Sequence, residues 1–310
     1  MDTGNPTSYL ISLTTYYPRF STAHLAIESV LNQKCPYEYD VHLYIAKTDM
    51  EKNGGVTPPN IEALTPKGLK LFIVEENFLA YKKLVPALKA HPEKTIITVD
   101  DDVIYPPDFL HRLIQKSHEF PGCIVCFRGH LLSFDSRGKL RIYLDMMVER
   151  RQDKGKRSTP SFSLFPTGVS GVLYPPFSLD EMAVDHEQFM NLSPYSDDIW
   201  FKMASLKKET PCMLVGERNL HFPELPFPQQ TSLAKFNIIQ EKNDHQLQAC
   251  FARYPDLLEK VRQDCHRLDT IFKASASRKA KILDGVSHIR RKFRLWCKKR
   301  KREIRTWLKP

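Results

Sequence analysis

The sequence predicts an α/β fold with a mostly parallel central sheet flanked by helices. Three observations lead there. Apolar runs of strand length alternate with helical or loop segments between residues 8 and 120. The fourth of these runs passes directly into Asp100-Asp101-Asp102, and ligands of open α/β sheets bind outside the carboxyl ends of strands. Hydrophobic residues make up 42% of the 310 and aromatics 11%, enough to bury a sizeable core.

The elements follow in order. Tyr9 to Thr15 reads as a buried first strand, ended by Pro18. Ser21 to Gln33 has helical spacing, with Leu25, Ile27, Val30 and Leu31 apolar and Ser21 as its N-cap. Tyr39 to Ala46 and Leu69 to Val74 are the second and third strands. Leu79 to Ala90 reads as a helix that Pro86 limits or kinks. Lys94 to Val99 is the fourth strand, Asp108 to Glu119 the next helix, and Ile124 to Arg128 another strand. Residues 133–162 are polar and charged and read as a loop or flap. Phe165 to Pro176 carries two glycines beside a short apolar strand. Asp197 to Leu206 is helical and Pro211 to Val215 a short strand. Asp256 to Phe272 is an amphipathic helix, and Ala274 to Ser277 a linker.

The formal net charge of +10 is unevenly spread. Residues 278–310 hold fourteen Lys/Arg against two acids, a net of +12, which leaves about −2 for the rest. Seven cysteines are present, and the Cys123/Cys126 pair sits in an apolar run with no second pair at zinc spacing. These read as buried thiols in a reducing cytosol. The N-terminus has no signal-peptide pattern, and no stretch reaches the length of about 18 apolar residues that a membrane span needs.

Three adjacent carboxylates repel one another and call for a counter-ion. Their oxygens suit Mg²⁺ or Mn²⁺, which can bridge diphosphate oxygens and neutralise a leaving group. In an extended segment Asp100 and Asp102 point the same way and reach one site. The plainer alternative is a solvated acidic turn.

Ile96–Pro106, which reads IITVDDDVIYP, resembles the D-x-D segment of GT-A glycosyltransferases. Ser12–Phe20 (SLTTYYPRF), followed by a helix ending SVLNQ, is similar to the nucleotide-binding start of that fold in family-2-like bacterial surface-polysaccharide enzymes. The resemblance covers residues 8–245. It implies a catalytic domain over 1–245, a C-terminal helix and linker over 246–277, and a tail over 278–310. It also implies donor binding by Thr14, Tyr16, Arg19, Lys83, Asp100, Asp101 and Gly171. Asp102, Asp100 and His221 would be the metal ligands. Gly168–Tyr174 (GVSGVLY) resembles the glycine-rich segment that lines donor and acceptor, or is a simple turn. Ser196–Trp200 (SDDIW) resembles the acidic motif of inverting members. It implies Asp198 as the general base with Asp197 second, the alternative being a helix cap. Lys82 and Lys83 are placed to contact a diphosphate or to line a solvated helix face.

In the tail, Ile282, Val286, Ile289, Phe293 and Trp296 form one helical stripe among cations, which suits an anionic membrane surface. A nucleic-acid patch and a partner-docking helix are the competing readings, and no nucleic acid is expected. The whole reads as a metal-dependent glycosyltransferase. It moves a sugar from a nucleotide-diphosphate-sugar to a hydroxyl of a glycan or lipid-linked acceptor, peripheral on the cytoplasmic face of the cell membrane. The alternative is a non-catalytic basic adaptor. The chain carries no P-loop, and no G-x-G-x-x-R/K-rich loop follows its first strand.

Overall fold

The computed structural model of the protein describes residues 9–150, 153–226 and 242–274. The chain divides into two compact units, Met1–Cys265 and His266–Pro310. In the second unit, residues 266–274 are helical. The linker beyond residue 274 and the basic tail lie outside the described residues. No described helix is long and apolar enough to cross a membrane.

The first unit carries the α/β architecture that the sequence predicts. Strands β1 (Tyr9–Thr15), β2 (Tyr39–Ala46), β3 (Leu69–Val74) and β4 (Thr95–Thr98) fall where the apolar runs do. β5 (Ile124–Cys126), β8 (Val172–Tyr174) and β9 (Cys212–Leu214) complete a seven-stranded sheet in the order β3-β2-β1-β4-β8-β5-β9. Only β8 runs antiparallel to its neighbours. β6 (Gly129–Leu131) and β7 (Leu164–Pro166) form a separate antiparallel pair.

Apart from its edge strand β3, where Phe72 and Ile73 are exposed, the sheet is buried on both faces because its strands are apolar on both sides. Leu10 of β1 and Ile96 of β4 join one core, with Phe189, Trp200 and Phe201. Ile11, Leu13 and Ile97 join the other, against α1 (Ala23–Leu31) and a helix at Phe109–Glu119. The period of two thus splits each strand between two cores.

Several elements differ from the sequence reading. α1 begins at Ala23, so Thr22 rather than Ser21 holds the cap position, and it makes no side-chain cap bond. The stretch 79–90 is a 3₁₀ turn at Leu79–Lys83 followed by a short helix at Val85–Ala90. Pro86 sits in the first turn of that helix, where its missing N–H leaves no bond unmade, so it starts a helix instead of kinking one. The polar 133–162 segment contains a helical turn at Tyr143–Met147, whose Tyr143 and Met146 are buried. An extra helix at Lys242–Arg253 buries Leu247, Cys250 and Phe251 and accepts Tyr195 N–H on Gln246 Oε1 at 2.8 Å. Cys123 and Cys126 are buried free thiols.

Gly171 has φ of +87°, and a Cβ there would sit 2.6 Å from Phe109 Cε2. Only glycine meets both demands. Gly171→Ala is therefore expected to destabilise the fold by about 1–3 kcal/mol, read as a lowered midpoint of urea unfolding.

Candidate active site

The sheet order places β1 beside β4, while the chain leaves β1 toward β2 on its other side. Such a reversal opens a crevice at the carboxyl ends of the two strands. Val99 N–H still donates to Ser12 O at 3.1 Å, which keeps those ends together. The acidic triplet and the Tyr16–Arg19 segment leave from there.

The triplet does not continue the strand. It turns at Asp101 and Asp102, and residues 223–225 lock the turn. Leu225 N–H donates to Asp102 O at 2.7 Å and Ile104 N–H to Pro223 O at 2.9 Å. The turn changes which carboxylates meet. Arg19 grips Asp101 and Asp102 together: Nη1 pairs with Asp101, and Nη2 lies 2.6 Å from Asp102 Oδ2. Thr15 Oγ1 donates to the other oxygen of Asp101 at 2.6 Å. Asp101 is thus buried and satisfied, a residue that orients Arg19.

Asp100 faces a different cation. Lys83 Nζ lies 3.0 Å from Asp100 Oδ1 and 3.1 Å from Asp197 Oδ2, the latter without hydrogen-bond alignment. The ammonium therefore joins the triplet to the start of the helix at Asp197–Lys207. That helix is pinned by Trp200, which is fully buried and donates from Nε1 to Met182 O at 2.9 Å. Ser196 occupies the N-cap position but makes no side-chain cap bond. The Gly168 N–H lies 3.1 Å from both oxygens of Asp198. A Cβ at Gly168 would fall 2.6 Å from Lys83 Nζ, so glycine admits the close approach.

Tyr105 ties these parts together. Its buried hydroxyl accepts the Asp100 N–H at 2.8 Å and donates to Val169 O at 3.4 Å. Neither Tyr105 nor Thr15 stands out in the sequence reading. Strand alternation points Thr15 at the carboxylates, whereas Thr14 turns the other way and donates to Tyr44 O at 2.7 Å. Tyr16 lies under the Arg19 guanidinium, 5.5 Å from ring centroid to Cζ. Gly171 shapes the turn, its N–H donating to Gly168 O at 2.8 Å, and it is Gly168 that touches the acid. Lys82 is buried and bonded to Asn77, and burial lowers its pKa to about 8. His221 is exposed.

Burial and charge together set the pKa values. Five carboxylates (Asp100, Asp101, Asp102, Asp197 and Asp198) face Arg19 and Lys83, with Lys82 at the margin. Burial, then the Asp197 charge, pushes Asp198 up to about 7. Burial, then Asp100, pushes Asp102 up to about 6, with Glu224 adding to the repulsion. Burial opposes the charge on Lys83, but Asp100, Asp197 and Asp198 outweigh it and hold the ammonium protonated.

Among the described residues no group of three or more His, Cys, Asp or Glu is gathered to hold a metal. Asp100, Asp102 and His221 therefore do not meet as a three-ligand set. Hard cations such as Mg²⁺ are commonly held by one or two carboxylates plus substrate phosphates. Asp102 and Asp100 offer that donor set, and the surplus of negative charge around them fits a divalent cation.

No protein-family model matches the chain, and no curated relative does. Solved structures similar to it include three of different description. The mannosyltransferase PcManGT of Pyrobaculum calidifontis, in complex with GDP-Man and Mn²⁺, overlaps 89% of this chain and 76% of its own at TM-score 0.49 and 12% identity. TarS 1–349 of S. aureus, in complex with UDP-GlcNAc, overlaps 73% of this chain and 60% of its own at TM-score 0.44 and 15% identity. A CMP:2-keto-3-deoxy-manno-octonic acid synthetase complexed with CTP overlaps 76% and 99% at TM-score 0.42 and 10% identity. All three overlaps stay below a TM-score of 0.5, and the chemistry of this chain rests on its own residues.

Proposed function

We propose that this chain is an inverting glycosyltransferase that moves a sugar from a nucleoside-diphosphate donor to a hydroxyl of a glycan or lipid-linked acceptor. One observation carries the reading: Lys83 joins Asp100 of the triplet to Asp197, which puts the neighbouring Asp198 in the same cleft. A donor-side acid pair and an acceptor-side acid then flank one reacting centre.

The roles divide by environment. Asp198, with a pKa near 7, takes the proton of the acceptor hydroxyl at a carboxylate oxygen as that hydroxyl attacks the anomeric carbon. The Gly168 N–H holds that carboxylate in place. Lys83 fixes Asp100 and Asp197 and contributes positive charge beside the diphosphate. Arg19, oriented by Asp101, stands at the same end of the cleft. A Mg²⁺ or Mn²⁺ held by Asp102 and Asp100 would neutralise the departing nucleoside diphosphate.

The apolar and cationic residues of 278–310 support a peripheral place on the cytoplasmic face of an anionic membrane; bacterial surface-polysaccharide assembly is the setting that the resemblance of IITVDDDVIYP and SLTTYYPRF implies. A panel of nucleoside diphosphates and nucleotide sugars, with and without Mn²⁺, tests the donor claim through the melting temperature. One base should raise it in a Mn²⁺-dependent way, by about 2.7 kcal/mol of added stability at a hundredfold excess over Kd. A well-folded sample that responds to none would sink the reading and leave the basic adaptor.

A further inference from the structure

A second cluster adjoins Thr167 and plays no part in the chemistry above. Its members are Arg128 between β5 and β6, His130 within β6, and Arg157 in the segment that pairs its carbonyl with Leu214 N–H at 2.8 Å. His130 is 2% exposed and Arg157 3% exposed. Both ring nitrogens of His130, and Nε of Arg128 and Arg157, are buried without a hydrogen-bond partner. Among the described residues neither guanidinium has a carboxylate within ion-pair distance.

Burying a charge without a partner costs several kcal/mol, so native structures supply one. No carboxylate is among the charges that act on His130. Burial first, and then the charges of Arg128 and Arg157, push the His130 imidazole down to about 3. Positive charge gathers around a neutral ring with unmet donors, and the missing component is an anion. A guanidinium fork fits phosphate oxygens in bidentate fashion, and two forks with an imidazole N–H suit a tetrahedral group better than a flat carboxylate.

Position decides what the anion belongs to. Arg128 Nη1 donates to Thr167 Oγ1 at 2.7 Å, and Thr167 N–H returns to Arg128 O at 3.0 Å. The next N–H along the chain, that of Gly168, holds Asp198. Tyr143 stands edge-on to His130 at 5.5 Å, and its phenol is held un-ionised first by burial and then by the Asp198 charge. The cluster therefore adjoins Asp198 through Thr167 and Gly168.

We propose that Arg128, His130 and Arg157 form a phosphate-binding subsite, and that in the transferase it grips a phosphate group of the acceptor. The second half of this statement rests on the proposed function; the subsite itself does not.

The test follows the melting temperature of the full chain in inorganic phosphate, against chloride at matched ionic strength. The wild type should gain stability specific to phosphate. Arg157→Met and Arg128→Gln should bind phosphate about 10- to 100-fold more weakly, the loss expected for one charge-assisted hydrogen bond. Because Arg157→Met removes an unpaired buried charge, it should melt no lower than wild type without phosphate. Arg157→Lys, which keeps the charge, should recover part of the response and covers the case in which Arg157→Met does not fold. A wild type that responds equally to phosphate and chloride, or an Arg157→Met protein with the full response, overturns the subsite.

Adding a saturating nucleoside diphosphate with Mn²⁺ places it. Additive shifts support an acceptor-side location, and mutual exclusion overturns it in favour of the diphosphate site. A phosphate response without any nucleotide response would keep the subsite and refute the transferase. Glycerol 3-phosphate in solution and the headgroup of phosphatidylglycerol vesicles separate a soluble from a lipid-borne phosphate. The one whose effect is lost in Arg157→Met names the source.

Discussion

Asp198→Asn is expected to lower the turnover number by about 10²- to 10⁴-fold, the contribution typical of a general base, while the donor still binds. The amide keeps the shape and still accepts the Gly168 N–H, but it takes no proton. The wild-type rate should rise with pH and level off above about 7, the pKa to which burial and Asp197 push this acid. The same residue sets a stability trend in the metal-free protein. Its folded pKa lies above the value of about 3.9 for an unfolded aspartate, so between those values the folded state binds more protons. Stability should therefore fall as pH rises through that window. Asp198→Asn, which cannot ionise, should flatten that slope and melt higher near pH 7. Denaturant unfolding from pH 5 to pH 8 checks it; parallel curves for the two proteins would count against the assignment.

Lys83→Met should be the most damaging change to the fold outside the core. The ammonium is buried between Asp100 and Asp197, with Asp198 beside them. Removing one partner of a buried ion pair leaves uncompensated charge and typically costs about 3–5 kcal/mol. A methionine of similar length fills the volume, so the loss should be electrostatic. Adding Asp197→Asn should therefore restore part of it, since the two sites share one interaction. Urea midpoints of the single and double variants measure this. Strictly additive effects would show that the ammonium does not hold the acids together.

Much of the scaffold was legible from local patterns. The apolar runs of β1 to β4, the aspartates that follow β4, and the Asp197-Asp198 start of a helix all announce themselves within a few residues. The partners were not legible, because they come from distant parts of the chain. Arg19 meets Asp101 across 82 residues, and no periodicity reveals that. Thr15 was readable in principle, since alternation along β1 separates it from Thr14. Only the fold says which of the two faces the carboxylates. Tyr105 lies just beyond the triplet, but its link to Val169 depends on β8 bringing the glycine turn alongside β4. The turn at Asp101 and Asp102 replaced the expected extended geometry because residues 223–225 pair with it. The small β6–β7 pair is not legible in the sequence because Gly129 opens one strand and Pro166 closes the other, and both residue types weaken a strand pattern.

The most direct test of a metal-assisted sugar transferase is release of the nucleoside diphosphate from its sugar nucleotide, with and without Mn²⁺, by wild type and by Asp102→Ala. Water is the acceptor in this assay, so no acceptor need be known. Slow, Mn²⁺-dependent release by the wild type is expected, with a loss on the order of 100-fold in the variant, as for removal of a group that stabilises developing charge. Equal release by Asp102→Ala would contradict it.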